Sequence, residues 1–128
     1  MAWLLETERT EIVRAFWTRL TSTDELVAAM LLIPECTSVL RVKAYEGSIT
    51  QPEALRGVAQ MLALPLRISS DQRQFTRAVE MAARTRRRKA YDMQYVAVAE
   101  LEQAEIVTID GGVRQAALEL GVPVRLLR

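Results

Sequence analysis

The side chains of this sequence leave one kind of chemistry open. Its 128 residues include no histidine and a single cysteine, Cys36. That excludes Ser-His-Asp and Cys-His hydrolysis, imidazole acid–base catalysis, and zinc sites built from imidazole or thiolate clusters. Neither G-x-x-x-x-G-K-[ST] nor G-x-G-x-x-G occurs, so no loop of those types cradles phosphate. What remains is carboxylate chemistry. There are 16 acidic residues, and carboxylates arriving from separate elements suit Mg2+ or Mn2+, which take oxygen ligands and keep several waters. Glu35, Asp92 and Asp110 are the candidates. Taken singly, Glu35 and Asp92 also fit as helix N-terminal charges, and Asp110 as a turn residue beside Gly111 and Gly112.

Charge adds a second signal. The formal net charge is only +1, but Arg84, Arg86, Arg87, Arg88 and Lys89 place five cations in six positions. The rest of the chain is net acidic, so this run reads as a local anion-binding patch or as the solvated end of a helix.

These residues need elements to position them. Glu8 to Leu20 carries Ile12, Val13, Phe16, Trp17 and Leu20 at helical spacing. Leu26 to Ile33 is a nearly continuous apolar run, read as a buried strand leading to Pro34. A helix follows from Glu35 to Tyr45, closed by Gly47. Thr50, Pro52 and Glu53 form a capping-box pattern that opens a helix to Leu62. Leu64 to Ile68 reads as a short strand. Ser69-Ser70-Asp71 caps the next helix, with Phe75, Ala78, Val79 and Ala82 as its apolar face. Ala90 to Gln103 reads as a helix, Glu105 to Ile109 as a strand, Val113 to Leu120 as a helix stopped by Gly121, and Val122 to Leu127 as a strand. Short apolar strands alternating with amphipathic helices predict one α/β domain over 1–128 with a mostly parallel sheet. Ligands of such sheets bind beyond the carboxyl ends of the strands, where Asp110 and Glu35 fall.

The motifs then converge. Leu31-Leu32-Ile33-Pro34-Glu35-Cys36-Thr37-Ser38-Val39-Leu40, Ala90-Tyr91-Asp92-Met93-Gln94-Tyr95-Val96-Ala97-Val98-Ala99 and Val107-Thr108-Ile109-Asp110 stand in order along the chain. Together with the Ala-Ala-x-x-x-Gly-Val-Pro-Val pattern from Ala116 to Val124, they resemble the successive motifs of PIN domains of the VapC-like toxin branch. The resemblance implies a three-layer fold and metal-dependent cleavage of RNA. Glu35, Asp92 and Asp110 match three of the family's acids as catalytic residues and Mg2+ or Mn2+ ligands, and Thr108 matches a polar residue beside the last. Arg84 to Lys89, next to Asp92, would hold RNA phosphates or pair with an antitoxin.

One departure bears on activity. The family opens with a central strand ending in an Asp of the D-x-S-V kind, and Met1 to Glu6 resembles the stretch after it. A missing first acid implies an impaired nuclease, or an inactive module that binds RNA or protein. The uncovered strands, with Trp3, Leu4 and Leu5, imply a homodimer. Tyr91 and Tyr95 read as core residues or base-stacking platforms, Trp3 and Trp17 as core or dimer interface, and Cys36 as a small buried hydrophobe. No apolar run reaches the roughly 18 residues of a bilayer span. With one cysteine and no signal peptide, the expected location is the cytoplasm.

Overall fold

The short apolar runs and amphipathic segments alternate in space as they do in sequence. A computed structural model describes residues 24–108 and 110–127. The expected helix from Glu8 to Leu20, Trp3, Trp17 and Ile109 lie outside the described residues. Among the described residues, four three-residue strands and five helices follow in the order β1 (Leu26–Ala28), α1 (Leu32–Tyr45), α2 (Gln51–Leu62), β2 (Leu66–Ile68), α3 (Arg73–Arg84), α4 (Met93–Glu102), β3 (Ile106–Thr108), α5 (Gly111–Leu120) and β4 (Val124–Leu126). The fold is mixed α/β with parallel strands.

The strands pair in twos. β1 runs parallel to β2 with Val27 opposite Arg67, and β3 parallel to β4 with Val107 opposite Arg125. Parallel neighbours need a crossover, which α1 and α2 supply for the first pair and α5 for the second. Among the described residues these are two separate two-stranded sheets rather than one.

The apolar run from Leu26 divides between a strand and a helix, which corrects the strand expected to Ile33. Periodicity cannot separate a buried strand from a buried helix over so short a run. α1 begins at Leu32, so Pro34 lies inside its first turn, where its missing N–H costs nothing. Glu35 therefore sits within that turn rather than opening the helix. α2 starts as expected: Thr50 Oγ1 accepts from Glu53 N at 3.2 Å and Glu53 Oε1 accepts from Thr50 N at 3.3 Å.

The inward face of α3 also differs from expectation. Gln74, Ala78, Met81 and Ala82 are buried, whereas Phe75 and Val79 are exposed. The buried Gln74 amide is fully used. Its Nε2 donates to the Ser69 and Asp71 carbonyls, and its Oε1 accepts from Met30 N. A polar side chain satisfied in this way can take an inward position that an apolar tally assigns to its neighbour.

Four helices stop in one manner. After α1, α3, α4 and α5 a left-handed residue follows (Gly47, Arg86, Gln103 and Gly121). The next N–H reaches five residues back: Ser48 to Lys43, Arg87 to Ala82, Ala104 to Ala99 and Val122 to Ala117. This is the Schellman ending, and it fixes where each following loop departs.

Two apolar clusters result. The larger joins α3, α4 and α5 with β3 and includes Met81, Met93, Val96, Ala97 and Ala117, all with no accessible surface. The smaller centres on Leu32, Cys36 and Met61 beneath β1 and β2. Arg77 clamps α3 to α4 through Glu100 at 2.6 Å, and Arg67 on β2 reaches Glu102 at the end of α4 at 2.7 Å. α4 is thus anchored to α3 and to β2; the candidate residue Asp92 immediately precedes it and Tyr95 lies on it.

Candidate functional site

Asp110 is placed by backbone chemistry. It precedes α5 in extended conformation, and its Oδ1 accepts from Gly112 N at 2.7 Å and Val113 N at 3.2 Å. Two N–H groups that a helix start leaves without partners are thereby satisfied. Thr108, the last residue of β3, accepts from Asp110 N through its Oγ1 at 3.0 Å. It fixes the direction in which the chain leaves the strand.

Asp92 sits at the start of α4 without capping it. Its carboxylate is half-exposed and faces Arg87 Nη1 at 3.6 Å. The other terminal nitrogen of Arg87 donates to the Gly112 carbonyl at 2.6 Å. Glycine at 112 suits this approach: a Cβ there would lie 3.3 Å from Arg87 Nη2 and 3.1 Å from Asp110 Oδ1, so both side chains would have to give way by a few tenths of an ångström. One guanidinium therefore lies beside both acid-bearing helix starts.

Glu35 arrives from the other strand pair. It is half-buried in the first turn of α1, and its Oε1 accepts from Tyr95 Oη at 2.9 Å. Tyr95 lies one turn beyond Asp92 on α4, so both project from one face. Burial raises the Tyr95 phenol well above its ordinary pKa, and the Glu35 bond and the neighbouring charges of Glu35 and Asp92 add to it. The phenol stays protonated and remains a donor. Cys36 is buried and free, and burial raises its thiol, which makes it a packing residue rather than a nucleophile.

A continuous run of contacts links the three acids: Glu35 to Tyr95, one turn of α4 to Asp92, then Arg87 to Gly112 and the Asp110 cap. Of the cations in this run, Arg84 at the end of α3 and Arg86, Arg88 and Lys89 after it are exposed, while Arg87 turns inward. Tyr91 is exposed and Tyr95 half-buried.

The donor set does not form a cage for Mg2+ or Mn2+ as it stands. Among the described residues, no three acidic or cysteine side chains are gathered at metal-holding distance. Asp110 Oδ1 is committed to backbone N–H groups, Glu35 Oε1 to a phenol, and Asp92 to a guanidinium.

The roles of Tyr95, Arg87 and Gly112 are not legible residue by residue. The Asp-x-x-Tyr spacing was the signal for Tyr95, because residues three apart share a helix face. Arg87's inward turn depends on the Schellman ending of α3 and has no local signature.

No family model matches this sequence, and no curated protein matches it. The fold is similar to that of a chain in the structure of VapBC-1 from nontypeable Haemophilus influenzae. The TM-score is 0.64 at 13% sequence identity, and the match covers 91% of this chain and 84% of that one. At that identity the likeness concerns the fold alone. No helix among the described residues is long and apolar enough to cross a membrane.

Proposed function

We propose that this protein is a single-domain PIN-type, VapC-like toxin that binds RNA along the acid rim and hydrolyses its phosphodiester bonds. In this reading the two strand pairs are halves of one sheet in a three-layer fold. The observation that carries it is the linked run of Glu35, Asp92 and Asp110 beside four outward cations at the end of α3 and in the loop after it. Cations meet RNA phosphates, and in a chain without histidine the carboxylates at the same place are the groups left to assist hydrolysis of the bond between them. Arg84, Arg86, Arg88 and Lys89 meet the backbone directly, and Arg87 is the fifth contact. Glu35, Asp92 and Asp110 are the proposed catalytic carboxylates, with Thr108 beside the last; the Mg2+ or Mn2+ that the sequence resemblance implies would need Glu35 and Asp92 freed from Tyr95 and Arg87.

The partners follow from the same reading. The fold's likeness to a chain of VapBC-1 supports a cognate antitoxin. The paired helices α1 and α2 expose Val39, Val42, Leu55 and Leu62, which supports a protein-covered surface, either antitoxin or a second copy in a homodimer. The place of action is the cytoplasm.

A second reading, an RNA- or protein-binding module without cleavage, is favoured by one observation. The three carboxylates are engaged with Tyr95, Arg87 and the α5 backbone rather than turned to a common point.

The test is incubation of a single-stranded RNA with purified protein in Mg2+ or Mn2+, with products resolved on a gel. Cleavage that EDTA stops and Asp92→Asn abolishes supports the nuclease. Salt-dependent binding with no cleavage in either metal supports the binding module. Absence of RNA binding at low salt overturns both RNA readings.

A further inference from the structure

The two tyrosines that flank Asp92 and α4's first turn are placed differently. Tyr95 is half-buried and donates its phenol to Glu35 at 2.9 Å. Tyr91 is 59% exposed, and among the described residues its phenol has no hydrogen-bond partner and its ring no guanidinium over it. Tyr45, also exposed, is by contrast occupied: the Arg41 guanidinium lies 5.8 Å from its ring centre.

The backbone beneath Tyr91 is firmly held. Its carbonyl accepts from Gln94 N at 3.2 Å, and the Asp92 carbonyl accepts from Tyr95 N at 3.3 Å, so the turn runs on into α4. That helix is seated by Met93, Val96 and Ala97, which have no accessible surface. With only two side-chain torsions to fix, a tyrosine on such a base offers a large flat contact at low entropic cost.

The flanking charges select what meets the ring. Arg88 and Lys89 stand three and two residues before Tyr91, and three residues of chain span at most about 11 Å. Arg86, Arg88 and Lys89 are exposed, and among the described residues none of them has an ion-pair partner. The carboxylate on the other side, Asp92, already faces Arg87 at 3.6 Å. An acidic peptide would use these cations without needing the ring. A single nucleic-acid strand uses both, because its phosphates meet the cations and its bases carry flat faces. A duplex presents the same phosphates but keeps its base faces inside the stack.

We infer that Tyr91 is a stacking platform for an unpaired base of RNA, set between the cations that take the neighbouring phosphates and the acid at Asp92. The inference rests on the RNA-binding reading above and specifies its substrate class, a single strand rather than a duplex. Salt separates the two kinds of contact. Phosphate contacts release counterions and weaken as salt rises, whereas a base stacked on a ring releases none.

The experiment measures binding of a short 2′-O-methyl RNA strand, which resists cleavage, and of the same strand annealed into a duplex. Fluorescence anisotropy is read from low to physiological salt, without added divalent metal. In a second strand 2-aminopurine replaces adenine, and its emission falls when the base stacks. Tyr91→Ala is expected to weaken single-strand binding about tenfold, by the same factor at every salt concentration, and to leave duplex binding as it is. Tyr91→Phe keeps the ring and the wild-type affinity. Arg88→Gln instead flattens the salt dependence by about one unit of slope. Emission of 2-aminopurine falls further on the wild type and Tyr91→Phe than on Tyr91→Ala. Single-strand affinity that is unchanged in Tyr91→Ala, or lost equally in Tyr91→Phe, overturns the platform and leaves RNA binding standing. An equal loss of duplex affinity in Tyr91→Ala also overturns it, as damage to the surface as a whole. Failure of the wild type to bind either RNA at low salt overturns the RNA-binding reading and the platform with it.

Discussion

The two halves of the described chain hold their acids differently. From α3 onward, Met81, Met93, Val96, Ala97 and Ala117 close a core with no accessible surface, and Asp92 and Asp110 stand at the starts of helices packed into it. From β1 to β2 the core is a small cluster around Leu32, Cys36 and Met61, and Glu35 is held to the rest of the rim by the phenol of Tyr95. In the larger half Asp110 is fixed by backbone N–H groups and Asp92 faces the Arg87 guanidinium of the same half, whereas Glu35 is held by a side chain from the other half. The acid set can therefore be assembled or loosened at the Glu35 end without disturbing the larger core.

Truncating the two cores makes the difference measurable. Met93→Ala removes a fully buried side chain from the larger cluster and is expected to cost about 3–4 kcal/mol, against about 2 kcal/mol for Met61→Ala. Urea unfolding of both variants checks the order, and equal losses would show that the two clusters act as one.

Tyr95→Phe tests the link between the halves. It leaves the half-buried Glu35 without its phenolic donor and keeps the ring's packing, so the expected loss is about 1–2 kcal/mol. A neutral result in thermal unfolding would show that Glu35 is satisfied without the phenol.

How much of this was legible in the sequence depends on whether the signal is local. The Thr50 capping box and the helix stops at Gly47 and Gly121 are read directly, because each depends on residue types that few other conformations favour. The stops at Arg86 and Gln103 are hidden, since the left-handed position there holds a residue with a Cβ. The turn of α3 that buries Gln74 instead of Phe75 is also hidden, because it is settled by the carbonyls of Ser69 and Asp71 and the N–H of Met30. For the site, the positions of Asp92 and Asp110 at helix starts were legible from the neighbouring loop and glycines. The present partners of the acids were not, since Arg87 turns inward to Asp92 only because of how α3 ends, and Tyr95 meets Glu35 from 60 residues away.

The clamp between α3 and α4 carries a pH dependence confined to the larger half. Hydrogen bonding and charge from Arg77 lower the Glu100 pKa below its ordinary 4.5. The pair's contribution is therefore complete above that value and is lost as pH falls through the folded pKa. For this partly exposed pair the amount is about 0.5–1 kcal/mol. Stability measured from pH 7 to pH 3 should fall less steeply in Arg77→Gln than in the wild type, and identical slopes would remove the clamp from the account.

A smaller effect comes from the hidden helix stops. Gln103 is exposed and left-handed at φ 53°, so Gln103→Gly relieves its Cβ and is expected to add about 0.5 kcal/mol. A calorimetric melting temperature that rises slightly agrees with the Schellman ending. A fall would mean that the extra chain entropy glycine gives the unfolded state outweighs the relief of strain.

In the proposed function, Glu35 from one half and Asp92 from the other serve a single site on RNA. A double-mutant cycle on the RNA cleavage rate tests it most directly, using Glu35→Gln, Asp92→Asn and the combination. Groups that act as a unit are strongly non-additive. Each single change is expected to remove most of the rate, and the double variant to be hardly slower than the worse single one. Losses that multiply, or a Glu35→Gln variant that cleaves at the wild-type rate, would contradict a shared site.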